Sequence, residues 1–211
     1  MIGLCGAHRT GKSTLAGAFS EEAGVPVLYT KLSGVFANAG LDPKADYKLS
    51  LRLDLQRRML ECLERQYRSV DGGIFVTDRT PLDLMAYTLA DVQRANVPSE
   101  LEGVIERYLD DCIDVSNAVF SILVVVQPGI KPVEASGKAP ATYAYTEHIN
   151  SLMMGLAVSE AVQSAHYYIP REMTELKQRV ECLSFAVRKT QEKFENAKKA
   201  YADAGCPMVF H

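Results

Sequence analysis

The chain has 211 residues, 47% of them hydrophobic and 23% charged, with 23 basic and 26 acidic side chains and a net charge of −3. That length bounds one domain with ample core, and the charge balance excludes a general basic field for nucleic acid, leaving only a local groove open. Five cysteines, odd in number and without a Cys-x-x-Cys pair, argue against a disulfide framework or zinc site and fit a reducing compartment.

Met1 to Cys5 is apolar and reads as a buried first strand, not a signal peptide, because a Gly-rich loop follows at once. Lys12 to Ala23 reads as a helix with Leu15 and Phe19 on one face and Gly24 as its stop. Val25 to Tyr29 is a second strand, and residues 30–45 an irregular segment with a short helix. Asp46 to Arg68 is a long amphipathic helix with Leu49, Leu53, Gln56, Leu60 and Leu63 along one side. Ile74 to Thr77 is a third strand. The next helix opens with Thr80 as N-cap, Pro81 in the first position and Asp83 near the exposed N–H groups. Ser99 and Glu102 predict a capping box for a helix to about Val115.

Val119 to Val126 reads as a fully buried strand. Residues 127–141, with three prolines, two glycines and two lysines, predict a mobile loop or lid. Residues 142–164 form a further helix, Ala165 to Ile169 a fifth strand stopped by Pro170, and 171–203 one long charged helix. No stretch reaches the roughly 20 apolar residues of a bilayer span, so a cytoplasmic protein without membrane attachment is expected. Strands alternating with helices predict an α/β fold with a parallel sheet covered on both faces. Ligands in such sheets bind beyond the strand C-termini. One crevice should therefore gather residues 6–13, 29–31, 78–79 and 127–138.

Gly6-Ala7-His8-Arg9-Thr10-Gly11-Lys12-Ser13 matches G-x-x-x-x-G-K-[ST] between a predicted strand and a predicted helix. The glycines let backbone N–H groups turn inward around phosphate oxygens, and the helix presents its positive end to the same anion. Lys12 should reach the β- and γ-phosphates of ATP, and Ser13 should ligate Mg²⁺. Gly6, Arg9, Thr10, Gly11, Lys12, Ser13 and Thr14 form the expected ATP site. Arg9 either touches phosphate or is solvated, and His8 is given no catalytic role. Such loops need a second Mg²⁺ anchor at the end of a neighbouring strand. Asp78 stands there, with a turn or capping role as the alternative. Arg79 follows, able to bridge phosphates as a bidentate donor or to form a structural ion pair. Asp83 reads equally as a helix N-terminal acid or a ligand contact, and Tyr87 as core or substrate contact.

Together, the phosphate loop and the strand-Asp-Arg-Thr-Pro segment at 74–81 resemble the deoxynucleotide kinase branch of P-loop proteins. Thymidylate kinases carry an Asp-Arg pair here and deoxyribonucleoside kinases a Glu-Arg-Ser. The likeness is greatest to small phage-type proteins described as deoxynucleoside monophosphate kinases or ATPases. It runs through residues 6–13, 52–56, 76–87 and 145–150. The resemblance implies a P-loop NTPase fold with a five-stranded parallel sheet of order 2-3-1-4-5, over a single domain spanning 1–211. It also implies ATP with Mg²⁺, and Lys12, Asp78 and Arg79 as catalytic residues.

Deoxyribonucleoside kinases read the base edge with a Gln on the helix before the Glu-Arg strand. Gln56 matches that place, and a carboxamide can offer a donor and an acceptor to a base; an internal hydrogen bond is the alternative. Arg52 is either a phosphate contact or solvated. Those kinases also place a Glu after the second strand to deprotonate a 5′-hydroxyl, whereas here the position reads Tyr29-Thr30-Lys31-Leu32-Ser33. A monophosphate acceptor is already anionic and needs cations instead, which Lys31 could supply unless it is an ordinary surface lysine. Nucleotide kinases close arginines over the reaction. Residues 127–141 contain only Lys131 and Lys138, so these lysines serve, an arginine such as Arg171 or Arg179 arrives from elsewhere, or transfer is weak. The expected function is an ATP-dependent deoxynucleoside monophosphate kinase, with Lys31, Arg52, Gln56, Arg79, Tyr87, Lys131 and Lys138 toward the acceptor. The alternatives are a kinase acting on nucleosides or on modified bases in DNA, and a nucleotide-binding regulatory switch. Nucleic acid is not favoured as a partner, and the oligomeric state stays open between monomer and homodimer.

Overall fold

Five apolar residues in a row, Ile122–Val126, are all buried and form strand β4. Ile122, Val124 and Val126 pack into one core cluster and Leu123 and Val125 into another, as period-two geometry requires of a strand covered on both faces. The computed structural model describes residues 1–42, 45–70, 73–94, 96–130 and 142–203. Around β4 lie β1 (Ile2–Cys5), β2 (Val27–Leu28), β3 (Val76–Thr77) and β5 (Ala165–Ile169). All pair parallel, in the order β2-β3-β1-β4-β5. The fold is α/β, with the sheet order expected from the resemblance.

Helix α1 (Lys12–Ala23) and helix α7 (Leu176–Asp203) contribute Leu15, Phe19, Val180 and Leu183 to the core on one face. The other face is covered by α3 (Leu49–Arg68), α4 (Pro81–Arg94), α5 (Ser99–Val119) and α6 (Tyr143–Ala157). Leu63, Phe75, Leu82, Tyr108, Ile149 and Met153 are fully buried there, each stabilising the fold by roughly 1.5–3 kcal/mol through apolar burial. Helix α2 (Ser33–Asn38) closes the list of elements.

The boundaries depart from the sequence expectation in several places. Strand β4 starts at Ile122, not Val119, because Val119 is still the last residue of α5 and Phe120 its cap. β2 and β3 are two residues each, and Ile74 lies outside the sheet with 61% of its surface exposed. Helix α3 starts at Leu49, where Lys48 is still extended with ψ 147. Ser99 is not a cap: Pro98 holds that place in an extended conformation, no side-chain cap forms, and the helix runs on to Val119. Helix α6 stops at Ala157. The last helix starts at Leu176, because the chain first turns, with Met173 N–H donating to the Pro170 carbonyl. Of the expected loop at 127–141, residues 131–141 lie outside the described residues.

Candidate active site

Parallel strands point their C-terminal ends to one edge, so the segments after β1, β2, β3 and β4 meet there. Gly6 leaves β1 with φ +137 and packs so tightly on β4 that an added Cβ would stand 2.6 Å from the Val126 carbonyl oxygen. Arg9 takes φ 63, and Gly11 takes φ 86 at the N-cap of α1, conformations that a phosphate-cradling loop demands and glycine adopts most easily. Thr10, 1% exposed, donates its hydroxyl to the Ala7 carbonyl at 3.0 Å and closes the loop.

Lys12 is buried, and its ammonium donates to the carbonyls of Gly6 at 2.6 Å and Ala7 at 2.7 Å. Burial lowers its pKa, with the charge of Asp83, 3.9 Å away, acting in the opposite direction. The Ser13 hydroxyl donates to Asp78 Oδ2 at 2.5 Å. The other Asp78 oxygen accepts from the Thr30 N–H at 3.2 Å and hydroxyl at 3.3 Å. The loop serine and the strand-end carboxylate expected to hold a metal are thus side by side. Hard oxygen donors of this kind, one carboxylate and one hydroxyl, suit Mg²⁺, which takes few protein ligands and completes its shell with water and phosphate. Among the described residues no cluster of three His, Cys, Asp or Glu side chains could hold a metal by itself. Thr14 follows Ser13, exposed on the first turn of α1.

Arg79 is half-buried, and its carbonyl accepts from the Tyr67 hydroxyl at 2.8 Å. Asp83, 0% exposed, accepts from the Thr80 N–H at 2.8 Å, the Thr80 hydroxyl at 3.0 Å and the Gly6 N–H at 3.2 Å. Its pKa is raised by burial, against the lowering effect of Lys12 and Arg79. Tyr87, one turn along α4, bonds through its hydroxyl oxygen to the His8 N–H and to His8 Nδ1, both at 3.0 Å. The His8 ring also lies 5.9 Å from that of Tyr145 on α6. Burial, then the charges of Lys12, Arg9 and Arg79, lower the His8 pKa and favour its neutral form. Sequence reasoning gave His8 no role, and no local signal could show that it joins α4 and α6 to the phosphate loop.

A pocket of about 80 Å³ lies between α3 and α4. Phe36, Tyr47, Arg52, Gln56, Met59 and Asp91 line it. Gln56 is 8% exposed, and its Oε1 is buried without a hydrogen-bond partner among the described residues. Arg52 donates to Asp91 and Asp46, each at 2.9 Å, and to the Tyr47 carbonyl at 3.2 Å. The pocket is open to solvent and, as it stands, has room for two or three waters.

The cations expected over the reaction fall in different places. Lys131 and Lys138 lie outside the described residues. Lys31 is exposed, its backbone N–H bonded to Gln66 Oε1 at 3.0 Å. Arg171 forms a bidentate pair with Glu147 at 2.5 and 2.6 Å. Arg179, 1% exposed, donates to the carbonyls of Thr10 and Met173, both at 2.7 Å. It braces the loop from α7.

A sequence profile of the AAA domain family matches residues 1–113, from β1 through most of α5. The chain belongs to the AAA domain family. No curated protein matches it in sequence. Among solved structures, deoxyadenosine kinase from M. mycoides with products dCMP and a flexible dCDP bound is similar, with TM-score 0.64 and 16% identity over 89% of this chain and 98% of that one. The same kinase with bound dATP gives 0.63 and 14% identity, with the same coverage. The YorR protein from Bacillus subtilis, in complex with phosphorylated GDP, gives 0.52 and 14% identity over 90% of this chain and 97% of that one. At these identities the likeness is one of fold, a P-loop NTPase fold along nearly the whole chain. No helix among the described residues is long and apolar enough to cross a membrane.

Proposed function

We propose that this AAA-family chain is an ATP-dependent kinase whose acceptor is a deoxynucleoside monophosphate. The observation that carries the reading is the juxtaposition of Ser13 and Asp78 at 2.5 Å beside a phosphate loop with buried Lys12. It supplies a metal seat, a γ-phosphate cation and, one residue on, Arg79 for an incoming anion. Lys12 would leave the Gly6 and Ala7 carbonyls for the β- and γ-phosphates, placing charge where the transition state develops it. Ser13 and Asp78 would hold Mg²⁺, which supplies charge neutralisation on the phosphates when bound. Arg79 would align the acceptor phosphate, and Gln56, with an unsatisfied buried carbonyl oxygen, would take an N–H of the base.

The choice of a monophosphate rests on charge. Tyr29 to Ser33 at the end of β2 offers no carboxylate to deprotonate a sugar hydroxyl, and Asp78 has its oxygens on Ser13 and Thr30. A monophosphate needs no base. The nucleoside reading has one observation in its favour, the fold likeness to a deoxyadenosine kinase. Initial rates of ADP release from ATP and Mg²⁺ against deoxynucleoside monophosphates, ribonucleoside monophosphates, nucleosides and DNA separate the readings. Stimulation by one or a few monophosphates is expected. Stimulation by nucleosides alone would replace this reading with the nucleoside one, and acceptor-independent turnover would favour a regulatory ATPase.

A further inference from the structure

Asp83 is a carboxylate with no access to solvent, 77 residues along the chain from the loop glycine it holds. A helix-capping acid needs one oxygen, on the backbone N–H of the cap residue, and ordinarily stands in water. Here Oδ2 does that work on Thr80, while Oδ1 accepts from the Gly6 N–H and lies 3.9 Å from the Lys12 ammonium. Burying a carboxylate costs several kcal/mol unless its oxygens are well partnered, so the second oxygen is the feature that capping leaves unexplained.

The Thr80 N–H and the Arg79 carbonyl belong to one peptide unit. Asp83 holds the N–H end at 2.8 Å, and the buried Tyr67 hydroxyl holds the carbonyl end at 2.8 Å. A planar peptide gripped at both polar atoms has little freedom to rotate. Arg79 leaves the chain from this unit. The same carboxylate is fastened to Gly6, where the phosphate loop begins.

Resting on the kinase reading, we infer that Asp83 is a positioning residue that sets Arg79 at a fixed place relative to the phosphate loop, so that donor and acceptor are aligned by one rigid joint. The joint needs two acceptor oxygens back to back. Asparagine has the same shape but one acceptor and one donor. Whichever way its amide faces, either Gly6 or Thr80 meets an N–H in place of an oxygen.

Asp83→Asn therefore tests the joint without changing volume. With thermal unfolding measured first to confirm a folded variant at the assay temperature, ATP binding does not weaken, since a negative charge near Lys12 has gone. The acceptor KM rises, and kcat falls by about a hundredfold, the scale of a misaligned reacting pair. Tyr67→Phe removes the shorter of two hydrogen bonds on the other end of the same peptide, leaving only the Thr77 hydroxyl at 3.4 Å; it lowers kcat in the same direction, and it decides the matter should Asp83→Asn not fold. Folded variants with wild-type kcat and acceptor KM, including variants whose only change is a lower melting temperature, overturn the inference alone. Absence of acceptor-stimulated turnover in the unmodified protein overturns the kinase reading and this inference with it.

Discussion

Replacing Arg179 by alanine should loosen the protein and its phosphate loop together. The guanidinium is 1% exposed and donates to the carbonyls of Thr10 and Met173, both at 2.7 Å. Removing it orphans one buried acceptor, on Thr10, and one partly buried acceptor, on Met173, at about 1–3 kcal/mol each and opens a cavity, offset in part by relief of a buried charge. A net loss of about 4 kcal/mol lowers the melting temperature of a chain this size by about 8–16 °C. The Thr10 carbonyl shares its peptide unit with the Gly11 N–H, so holding the carbonyl fixes the direction of that N–H in the loop. Losing this hold should weaken ATP binding about tenfold, the value of roughly one hydrogen bond to a charged group. Arg179→Lys recovers one of the two bonds and should fall between. Thermal unfolding with and without ATP, and ATP titration, measure both effects. An Arg179→Ala variant melting within about 3 °C of the parent would show that these bonds add nothing net and refute the bracing argument.

Three further outcomes follow from the same geometry. Lys12→Ala should reduce transfer by at least about a hundredfold to a thousandfold, because a preorganised charge at the transferring group is gone; wild-type turnover would move the active site elsewhere. Asp78→Asn keeps an oxygen for Ser13 but removes the charge, so the Mg²⁺ concentration giving half-maximal rate should rise about tenfold or more while nucleotide binding changes little; an unaltered Mg²⁺ titration would reduce Asp78 to a bridge between Ser13 and Thr30. Gln56→Leu removes a buried, unpartnered carbonyl oxygen, so stability should hold or improve while the acceptor KM rises about tenfold; an unchanged KM would return Gln56 to the core.

Much of the fold was legible because local chemistry and tertiary packing agree. Gly24 ends α1 with φ 66 where the sequence placed its stop, and Pro81 opens α4. β4 is buried on both faces, as its unbroken apolar run predicts. The failures have local causes. The Ser99 cap was read from side-chain type, but Pro98 before it sets the chain and shifts the helix start. Ile74 is apolar, yet the parallel strands on either side begin only opposite Val76, too late to flank it. Lys12, Ser13 and Asp78 could be named because phosphate and metal chemistry restrict residue type and place. Asp83, Tyr67, His8 and Arg179 could not be given these contacts. Arg179 sits in a long charged helix and is expected, if anywhere near the loop, over the reaction; its partner Thr10 is 169 residues away. Such contacts depend on which helices meet at the loop, and no periodicity encodes that.

Following the γ-phosphate itself separates transfer from hydrolysis. ATP labelled in that group, Mg²⁺ and the most stimulating deoxynucleoside monophosphate are incubated with the protein, and the products are separated. Label is expected in the deoxynucleoside diphosphate, in equal amount to ADP formed. Label found only in inorganic phosphate would contradict the kinase reading and identify a hydrolase on the same loop.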